Sequence, residues 1–169
     1  GHTLVNHNHL LGRYEGAEVV RHGGWWYLFA STTDCCNGPL TGYAVYAGRA
    51  RTPAGPLLDR LGPDMAVARA GGTPVLFQNG KRWVGVGHKT VFPDAAGQWW
   101  TIYHGIDLNE PLCTARDKLT RRLALLDRID WADGWPVAPG APSDVPRPAP
   151  AATPAAHPRS LPSAAAPAA

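Results

Sequence analysis

Charged residues are scarce in this sequence, and acidic ones are scarcer than basic ones. The chain of 169 residues is 17% charged, below the roughly 25% of an average soluble protein. Its sixteen Lys and Arg residues are scattered and leave a formal net charge of only +3. A nucleic-acid-binding surface needs clustered Lys and Arg, so we expect no nucleic-acid partner. Glutamate occurs only as Glu15, Glu18 and Glu110.

Long apolar runs are also missing. No segment approaches the roughly 20 apolar residues that a membrane-spanning helix needs. The sequence begins at Gly1 and shows neither an initiator Met nor a secretory signal. We therefore expect no membrane partner, and we expect the natural chain to begin further upstream.

Cysteine is too rare for a disulfide framework or a CxxC metal pair. The three residues are Cys35, Cys36 and Cys113. Neighbouring Cα atoms lie about 3.8 Å apart across a trans peptide, so Cys35 and Cys36 form either a strained vicinal disulfide or two loop thiols. Cys113 is then the odd thiol.

The N-terminal histidines are spaced like metal ligands but have no Cys or Glu nearby to complete a site. Structural zinc needs four protein ligands and catalytic zinc usually three. We therefore expect no zinc at this cluster, which consists of His2, His7 and His9.

The length suits one folded domain with its own core. The last thirty residues contain eleven Ala and eight Pro and no aromatic residue, so they cannot bury enough apolar surface to order themselves. We predict a folded region over 1–139 and a linker or disordered tail over 140–169.

Helical signals are weak, whereas short strand patterns separated by Gly, Pro, Asn and Asp recur along the chain. The predicted fold is all-β. The strand candidates are Ala17–Arg21, Trp25–Ser31, Gly42–Ala50, Pro74–Gln78, Arg82–Val86, Lys89–Phe92, Trp99–His104 and Leu123–Trp131.

Two segments repeat one pattern, an apolar strand, a Gly turn and then Trp-Trp with an aromatic strand. A repeated hairpin favours two to three blades of a β-propeller, while a β-sandwich with core Trp pairs stays open as the alternative. One Trp of each pair should be core and the other is a candidate for stacking on sugars. These candidates are Trp25, Trp26, Trp99 and Trp100.

Glu15 is the candidate catalytic residue, because a strand start in a propeller lines the central funnel. A carboxyl group near apolar walls holds its proton more readily and can donate it to a leaving-group oxygen. The plain alternative is a solvated turn residue. Glu18 should point elsewhere, because side chains alternate along a strand.

His88 follows two glycines that permit close backbone approach, so its imidazole is placed to face a ligand or an ion. The alternative is a hydrogen-bonded structural histidine. His104 is a weaker case of the same kind. The polar loop that contains Asp34, Cys35 and Cys36 either shapes a sugar pocket or is a plain turn.

Taken in order, these motifs resemble the C-terminal part of the catalytic domain of glycoside hydrolase family 43, and most closely its arabinan-cleaving members. The resemblance covers roughly residues 14–138. The motifs that carry it are EGAEVVRHGGWWYLFAS, DCCNG, YAVYAGRARTPAGPLLDR, GGTPVLFQNGKRWVGVGHKTVF, GQWWTIYHGID and LALLDRIDWADGWPVA.

The resemblance implies part of a five-bladed propeller whose funnel holds an Asp base, an Asp that tunes the pKa and a Glu acid. Glu15 matches the acid. Both aspartates would precede this chain in blades that are missing here, and none of Asp34, Asp107 and Asp130 occupies the position of the base. An inverting hydrolase is implied, in which the acid protonates the glycosidic oxygen while the base activates water across about 6.5–9.5 Å.

The resemblance further implies that His88 lies near a central calcium or similar ion, reached through water. Where the family commonly reads Gly-Pro-Gly-His-Asn, this chain has Lys89 after His88, and an inward-pointing ammonium would weaken binding of that ion. Cys35, Cys36, His88 and Arg121 are the implied substrate-binding residues, with Arg122 as the alternative to Arg121.

The implied protein is a secreted glycosidase acting on arabinan or related arabinofuranosyl or xylosyl polysaccharides of the plant cell wall. Because this chain carries only one of the three carboxylates, a non-catalytic carbohydrate-binding fragment or an inactive truncated enzyme remains the alternative.

Overall fold

The computed structural model describes residues 14–66, 71–114 and 118–153, and the described chain is all-β as predicted. Its regular elements are eight strands and one 3-10 helix, Gly38–Leu40. None of the described residues forms a helix of the length and apolarity that crossing a bilayer requires. The predicted histidine cluster at residues 2, 7 and 9 lies outside the described residues.

The strands form two antiparallel four-stranded sheets, and in each the strands follow one another in chain order. The first sheet contains β1 (Glu15–His22), β2 (Trp25–Thr32), β3 (Ala44–Ala50) and β4 (Thr73–Leu76). The second contains β5 (Trp83–Pro93), β6 (Trp99–Asp107), β7 (Leu123–Ala132) and β8 (Trp135–Val137). Two successive up-and-down sheets are the topology expected of propeller blades.

One prediction about the strands is wrong. The segments Arg82–Val86 and Lys89–Phe92 are a single strand, β5, whose pairing with β6 shifts register on both sides of Gly87. Gly85 and His88 have φ of 60° and 49°, so the ladder bulges at these residues and then continues. The glycines that looked like a turn therefore mark irregularities inside one strand. The short β8 was not predicted, since three residues with a central Pro carry little strand signal.

The core lies between the two sheets. Tyr27, Phe29 and Val45 from the first sheet pack in one buried cluster with Val86 and Tyr103 from the second. Each of these side chains is at most 2% exposed. Burial of such side chains fixes the sheets against each other and so fixes whatever side chains lie along their shared edge.

The chain keeps contact with the second sheet beyond the predicted boundary at Pro139. The Ser143 amide donates to Asp127 Oδ2 over 3.1 Å, and the Ala151 amide donates to Asp94 Oδ2 over 2.9 Å. The predicted linker therefore contributes residues to the packed structure as far as residue 151. The rest of the predicted tail, from residue 154, lies outside the described residues.

Candidate active site

Glu15 is presented on a β-bulge at the start of β1. It pairs with Ser31, yet the next pair is Glu18 with Phe29, so β1 has one residue more than β2 between these two pairs. Gly16 supplies the extra residue with φ of 56°, a conformation that suits glycine. The bulge changes the direction of Glu15 relative to the rest of β1, and the Glu15 side chain is exposed.

The irregular part of β5 brings His88 against this bulge. The His88 amide donates to the Ser31 hydroxyl over 2.9 Å, which ties β5 to the residue opposite Glu15. A Cβ added to Gly16 would lie 3.5 Å from His88 Cα and 3.6 Å from its Cγ. The two residues predicted from separate motifs, Glu15 and His88, are thus neighbours across the junction of the two sheets.

Tyr43 is a member of this site that the sequence analysis missed. Its side chain is 1% exposed, and its hydroxyl lies beside the Glu15 carboxylate and the Ser31 hydroxyl without a well-formed hydrogen bond to any described residue. Burial, and then the neighbouring Glu15, raise the pKa of the Tyr43 hydroxyl far above its usual range. The hydroxyl therefore stays protonated and can donate a hydrogen bond. The signal that could have found it is its place just after the Cys-Cys loop.

The His104 ring lies next to the Tyr43 ring in this site. The two rings are stacked with centroids 5.6 Å apart and planes 7° from parallel, and the His104 Nδ1 atom is buried without a hydrogen-bond partner among the described residues. Burial, followed by the charges of Arg122 and His88, lowers the pKa of His104 to about 4. The imidazole is therefore neutral near pH 7.

The adjacent cysteines are joined as a vicinal disulfide, with Cα atoms 3.8 Å apart. Cys113 is the exposed free cysteine. The Arg122 guanidinium donates to the Cys35 carbonyl over 2.7 Å, linking this loop to the start of β7. The disulfide loop is thus held beside the group of Tyr43 and His104, on whose hydroxyl and imidazole the Arg122 charge acts.

Of the two arginines left open by the sequence, Arg122 is the one whose charge acts on this site. Arg121 instead forms an ion pair with Glu110. The Arg122 charge therefore lies next to Tyr43 and His104, and which arginine binds a sugar stays a prediction.

Glu18 and Lys89 connect the sheets behind the bulge. Glu18 points away from the site, as predicted, and accepts hydrogen bonds of 3.0 Å from the Thr90 hydroxyl and the Val91 amide. The Lys89 ammonium is not directed toward the funnel, because it donates to the Gly16 carbonyl and, over 2.8 Å, to the Phe29 carbonyl. Burial lowers the pKa of Lys89 to about 8, opposed by the Glu18 charge.

The Trp pairs lie at the far ends of their strands and not beside Glu15. Trp25 pairs with His22, seven residues along β1 or roughly 23 Å from Glu15. Guanidinium groups of Arg49 and Arg51 lie 4.3 and 3.5 Å from the Trp25 ring centroid, so this ring is not free to stack on a sugar.

The expectation of one core Trp per pair holds for the second pair, in which Trp100 is 4% exposed. Its Nε1 atom donates to Asp94 over 2.9 Å, which makes it structural. In the first pair neither ring is fully buried, because both Trp25 and Trp26 lie at the β1–β2 turn.

The described residues hold no cluster of acidic, thiol and imidazole metal ligands. They contain no group of three His, Cys, Asp or Glu side chains that could hold a metal ion. Calcium takes six to eight oxygen ligands, which include backbone carbonyls and water, and the exposed group nearest Glu15 on β5 is the imidazole of His88. The ion implied by the resemblance therefore stays a prediction.

Comparison with known proteins identifies the family and the relatives of this chain. The family model described as glycosyl hydrolases family 43 matches residues 7–136. The chain is 32% identical over 123 residues to the extracellular exo-α-(1→5)-L-arabinofuranosidase of Cellvibrio japonicus, which covers 72% of this chain and 32% of that protein. It is 28% identical over 125 residues to the extracellular endo-α-(1→5)-L-arabinanase 1 of Bacillus subtilis, covering 74% and 34%.

Solved structures of similar proteins share the same fold. The α-L-arabinanase of Cellvibrio cellulosa, solved as a complex with arabinohexaose, matches with a TM-score of 0.64 and 29% identity over 78% of this chain and 38% of that one. The family-43 endo-arabinanase of Bacillus licheniformis matches with a TM-score of 0.64 and 27% identity, over 80% and 42%. The chain spans about a third of the length of the curated relatives described above.

Proposed function

The chain belongs to glycoside hydrolase family 43, and from this premise we propose that it is part of an enzyme that hydrolyses arabinan or a related arabinofuranosyl or xylosyl polysaccharide, with Glu15 as the proton donor. The two sheets are part of a five-bladed propeller. The names of the curated relatives, and the arabinohexaose complex of a Cellvibrio arabinanase, support the choice of substrate.

The observation that carries the proposal is the position of the Glu15 carboxylate. It is exposed on a bulge, beside a buried tyrosine hydroxyl and against His88 of the next sheet. A carboxylic acid that is open on one side and fixed on the other can reach a glycosidic oxygen without losing its orientation. We propose that it protonates this oxygen as the bond to the anomeric carbon breaks.

The stereochemistry follows from the family resemblance. In an inverting reaction a second carboxylate activates water on the opposite face of the sugar. In our proposal that base and the third carboxylate come from aspartates upstream of this sequence. The family relatives are about three times longer than the matched region, which leaves room for such blades in the natural protein.

We propose that the sugar next to Glu15 is contacted by the Cys35–Cys36 disulfide, His88 and Arg122. The disulfide loop and the guanidinium are joined by the hydrogen bond at the Cys35 carbonyl, so they form one wall. The disulfide offers an apolar surface, and Arg122 donates hydrogen bonds to hydroxyl groups. Substrates of this kind are found in the plant cell wall, and the relatives named as extracellular support secretion of the whole protein.

The central ion is implied by the family resemblance alone, and it stays a proposal. His88 would contact it through a water molecule, and the other ligands would be oxygen atoms of carbonyl groups, carboxylates or water. No step proposed here depends on the ion. Titration of the metal-free natural protein with calcium, followed by calorimetry, tests it with His88→Ala as the comparison.

The test of the proposed function uses the natural full-length protein. We expect Glu15→Gln to lower the rate of reducing-end release from arabinan by about 10²- to 10⁴-fold, the usual contribution of a general acid. Asp133→Asn is the matched control, because it removes one exposed carboxylate at the β7–β8 turn, away from Glu15.

The results separate the two candidate functions. Full activity of Glu15→Gln on arabinan would overturn the assignment of the acid. Tight binding of arabino-oligosaccharide by the natural protein, with no release of reducing ends, would instead support the non-catalytic carbohydrate-binding protein.

A further inference from the structure

A buried cation, the Lys89 ammonium, binds the backbone of the bulge that presents Glu15. Lys89 is 6% exposed, and its Nζ atom donates to the Gly16 carbonyl and to the Phe29 carbonyl. Gly16 follows Glu15 directly, and Phe29 pairs with Glu18 on the other side of the bulge. The ammonium therefore binds one carbonyl from each strand at the point where the regular ladder is interrupted.

These contacts bear on the direction of Glu15 and not only on the stability of β1. A bulge leaves backbone groups without their ladder partners, and a free carbonyl at Gly16 would allow the Gly16–Ala17 peptide of β1 to rotate. That rotation would turn the preceding residue, Glu15. Hydrogen bonds from a charged donor are stronger than those from a neutral one, so Lys89 holds the Gly16 carbonyl more firmly than an amide side chain would.

His88 and Lys89 hold the bulge from two directions. His88 lies on the side of Gly16 where an added Cβ would be 3.5 Å from the His88 Cα, while the next side chain, Lys89, enters the core and binds the Gly16 carbonyl. These adjacent residues of β5 point in different directions because successive side chains of a strand alternate between its two faces. The charged group that faces Lys89 is Glu18 on β1, which is itself tied to β5.

We propose that Lys89 is a positioning residue for the proton donor, fixing the direction of the Glu15 carboxylate through the Gly16 carbonyl. This inference rests on the proposed function of Glu15 and deepens it. Lys89 does not touch the substrate and donates no proton in the reaction. Its effect should therefore appear only where protonation of the leaving group limits the rate.

The experiment compares leaving groups in the natural full-length protein. Aryl glycosides of arabino-oligosaccharides with 4-nitrophenol and 2,4-dinitrophenol leaving groups are assayed beside arabinan, because dinitrophenolate leaves without needing a proton. For Lys89→Met we expect kcat on arabinan to fall about 10- to 100-fold, the scale of a displacement near 1 Å. We expect less than about a threefold change with dinitrophenol, and no change in KM.

Two comparison variants frame this result. Lys81→Met removes an exposed lysine at the β4–β5 turn and should leave all three rates within about twofold. Lys89→Gln keeps a donor of shorter reach, and should show the same selective loss in a protein whose thermal unfolding resembles that of the unsubstituted one.

The outcomes distinguish the two proposals. If Glu15→Gln loses no activity on arabinan, the proposed function fails. If Glu15→Gln does lose activity, but the Lys89 variants slow every substrate equally or slow none, Lys89 does not position the acid. Failure of both Lys89 variants to fold would also overturn the inference, because it would show that Lys89 holds the fold as a whole.

Discussion

Tyr43 is almost completely buried, and its hydroxyl lies beside Glu15 without a well-formed hydrogen bond to a described residue. Buried polar groups are normally paired, since an unpaired one costs free energy. Tyr103 shows the usual case, because its hydroxyl donates to Asp127 over 2.7 Å. The Tyr43 hydroxyl is thus available to the Glu15 carboxylate beside it, whereas the Tyr103 hydroxyl is already bound.

We therefore predict opposite outcomes for two Tyr→Phe variants. Tyr43→Phe should lower kcat on arabinan about tenfold while changing the free energy of unfolding by less than about 1 kcal/mol, because no formed hydrogen bond is lost. Tyr103→Phe should cost about 1–3 kcal/mol and leave kcat unchanged, because it leaves the Asp127 carboxylate short of a donor. Urea denaturation and steady-state kinetics measure both, and a large loss of stability without loss of turnover in Tyr43→Phe would contradict the role.

His104 predicts a pH dependence of stability. Its pKa is lowered to about 4 in the folded protein, against about 6.5 in an unfolded chain, so the unfolded state binds more protons between these values. The stability that His104 contributes is present above pH 6.5 and is lost as the pH falls toward 4. The urea midpoint of His104→Asn should depend less on pH across this window. An identical pH dependence in both proteins would refute the prediction.

At the scale of elements, the site is made where two irregular strands meet. β1 has a bulge at Gly16 and β5 has register shifts around Gly87, and each irregularity directs one polar side chain, Glu15 or His88, to the shared edge. A Cβ at Gly87 would lie 2.2 Å from Tyr43 Cε1, so the glycine also makes room for the tyrosine ring. The loop before the 3-10 helix completes the wall through Arg122.

The loop contact predicts a difference between neighbouring arginines. Arg122→Ala should raise KM for arabino-oligosaccharides about tenfold, because it frees the disulfide loop and removes a donor to the sugar. The effect of Arg121→Ala should be smaller, because Arg121 is paired with the exposed Glu110 and exposed pairs contribute little. Steady-state kinetics of both variants in the full-length protein provide the measurement. An equal or larger effect of Arg121→Ala would assign the contact to Arg121 instead.

At the scale of the whole molecule, contacts at both ends of the strands join the two sheets. Near Glu15, Ser31 and Glu18 of the first sheet accept hydrogen bonds from backbone amides of β5. Lys89 of β5 donates a hydrogen bond to a carbonyl of β2. At the outer end, Arg49 donates to the Gly134 carbonyl over 2.7 Å. Arg49 is stacked between Trp25 and Trp135. Fixing both ends prevents the sheets from twisting against each other and keeps Glu15 and His88 at one separation.

Residues 140–153 are held on the second sheet, because their amides bind the carboxylates of Asp127 in β7 and of Asp94 in the β5–β6 turn. A natural protein ended after Pro139 should be less stable than one ended after Thr153 by on the order of 2–4 kcal/mol, since two carboxylates lose charge-assisted hydrogen bonds. Comparison of the two truncations by thermal unfolding isolates this segment. Equal stability would show that the segment only rests on the sheet.

The sequence alone determined the all-β class, the repeated hairpins, the resemblance to the family and the choice of Glu15 and His88, because these depend on local patterns and on the order of motifs. It also left two questions open, the state of the adjacent cysteines and the choice between Arg121 and Arg122. The structure joins the cysteines as a disulfide and places the charge of Arg122 at Tyr43 and His104, while the arginine that binds the sugar stays a prediction. Only the tertiary structure decided the contacts that the sequence did not predict: Tyr43, just before β3, lies beside Glu15, the Lys89 side chain enters the core, and Trp25 is covered by arginines from β3 and the residue after it. Such contacts between residues distant in sequence arise from packing, so a local sequence pattern does not predict them.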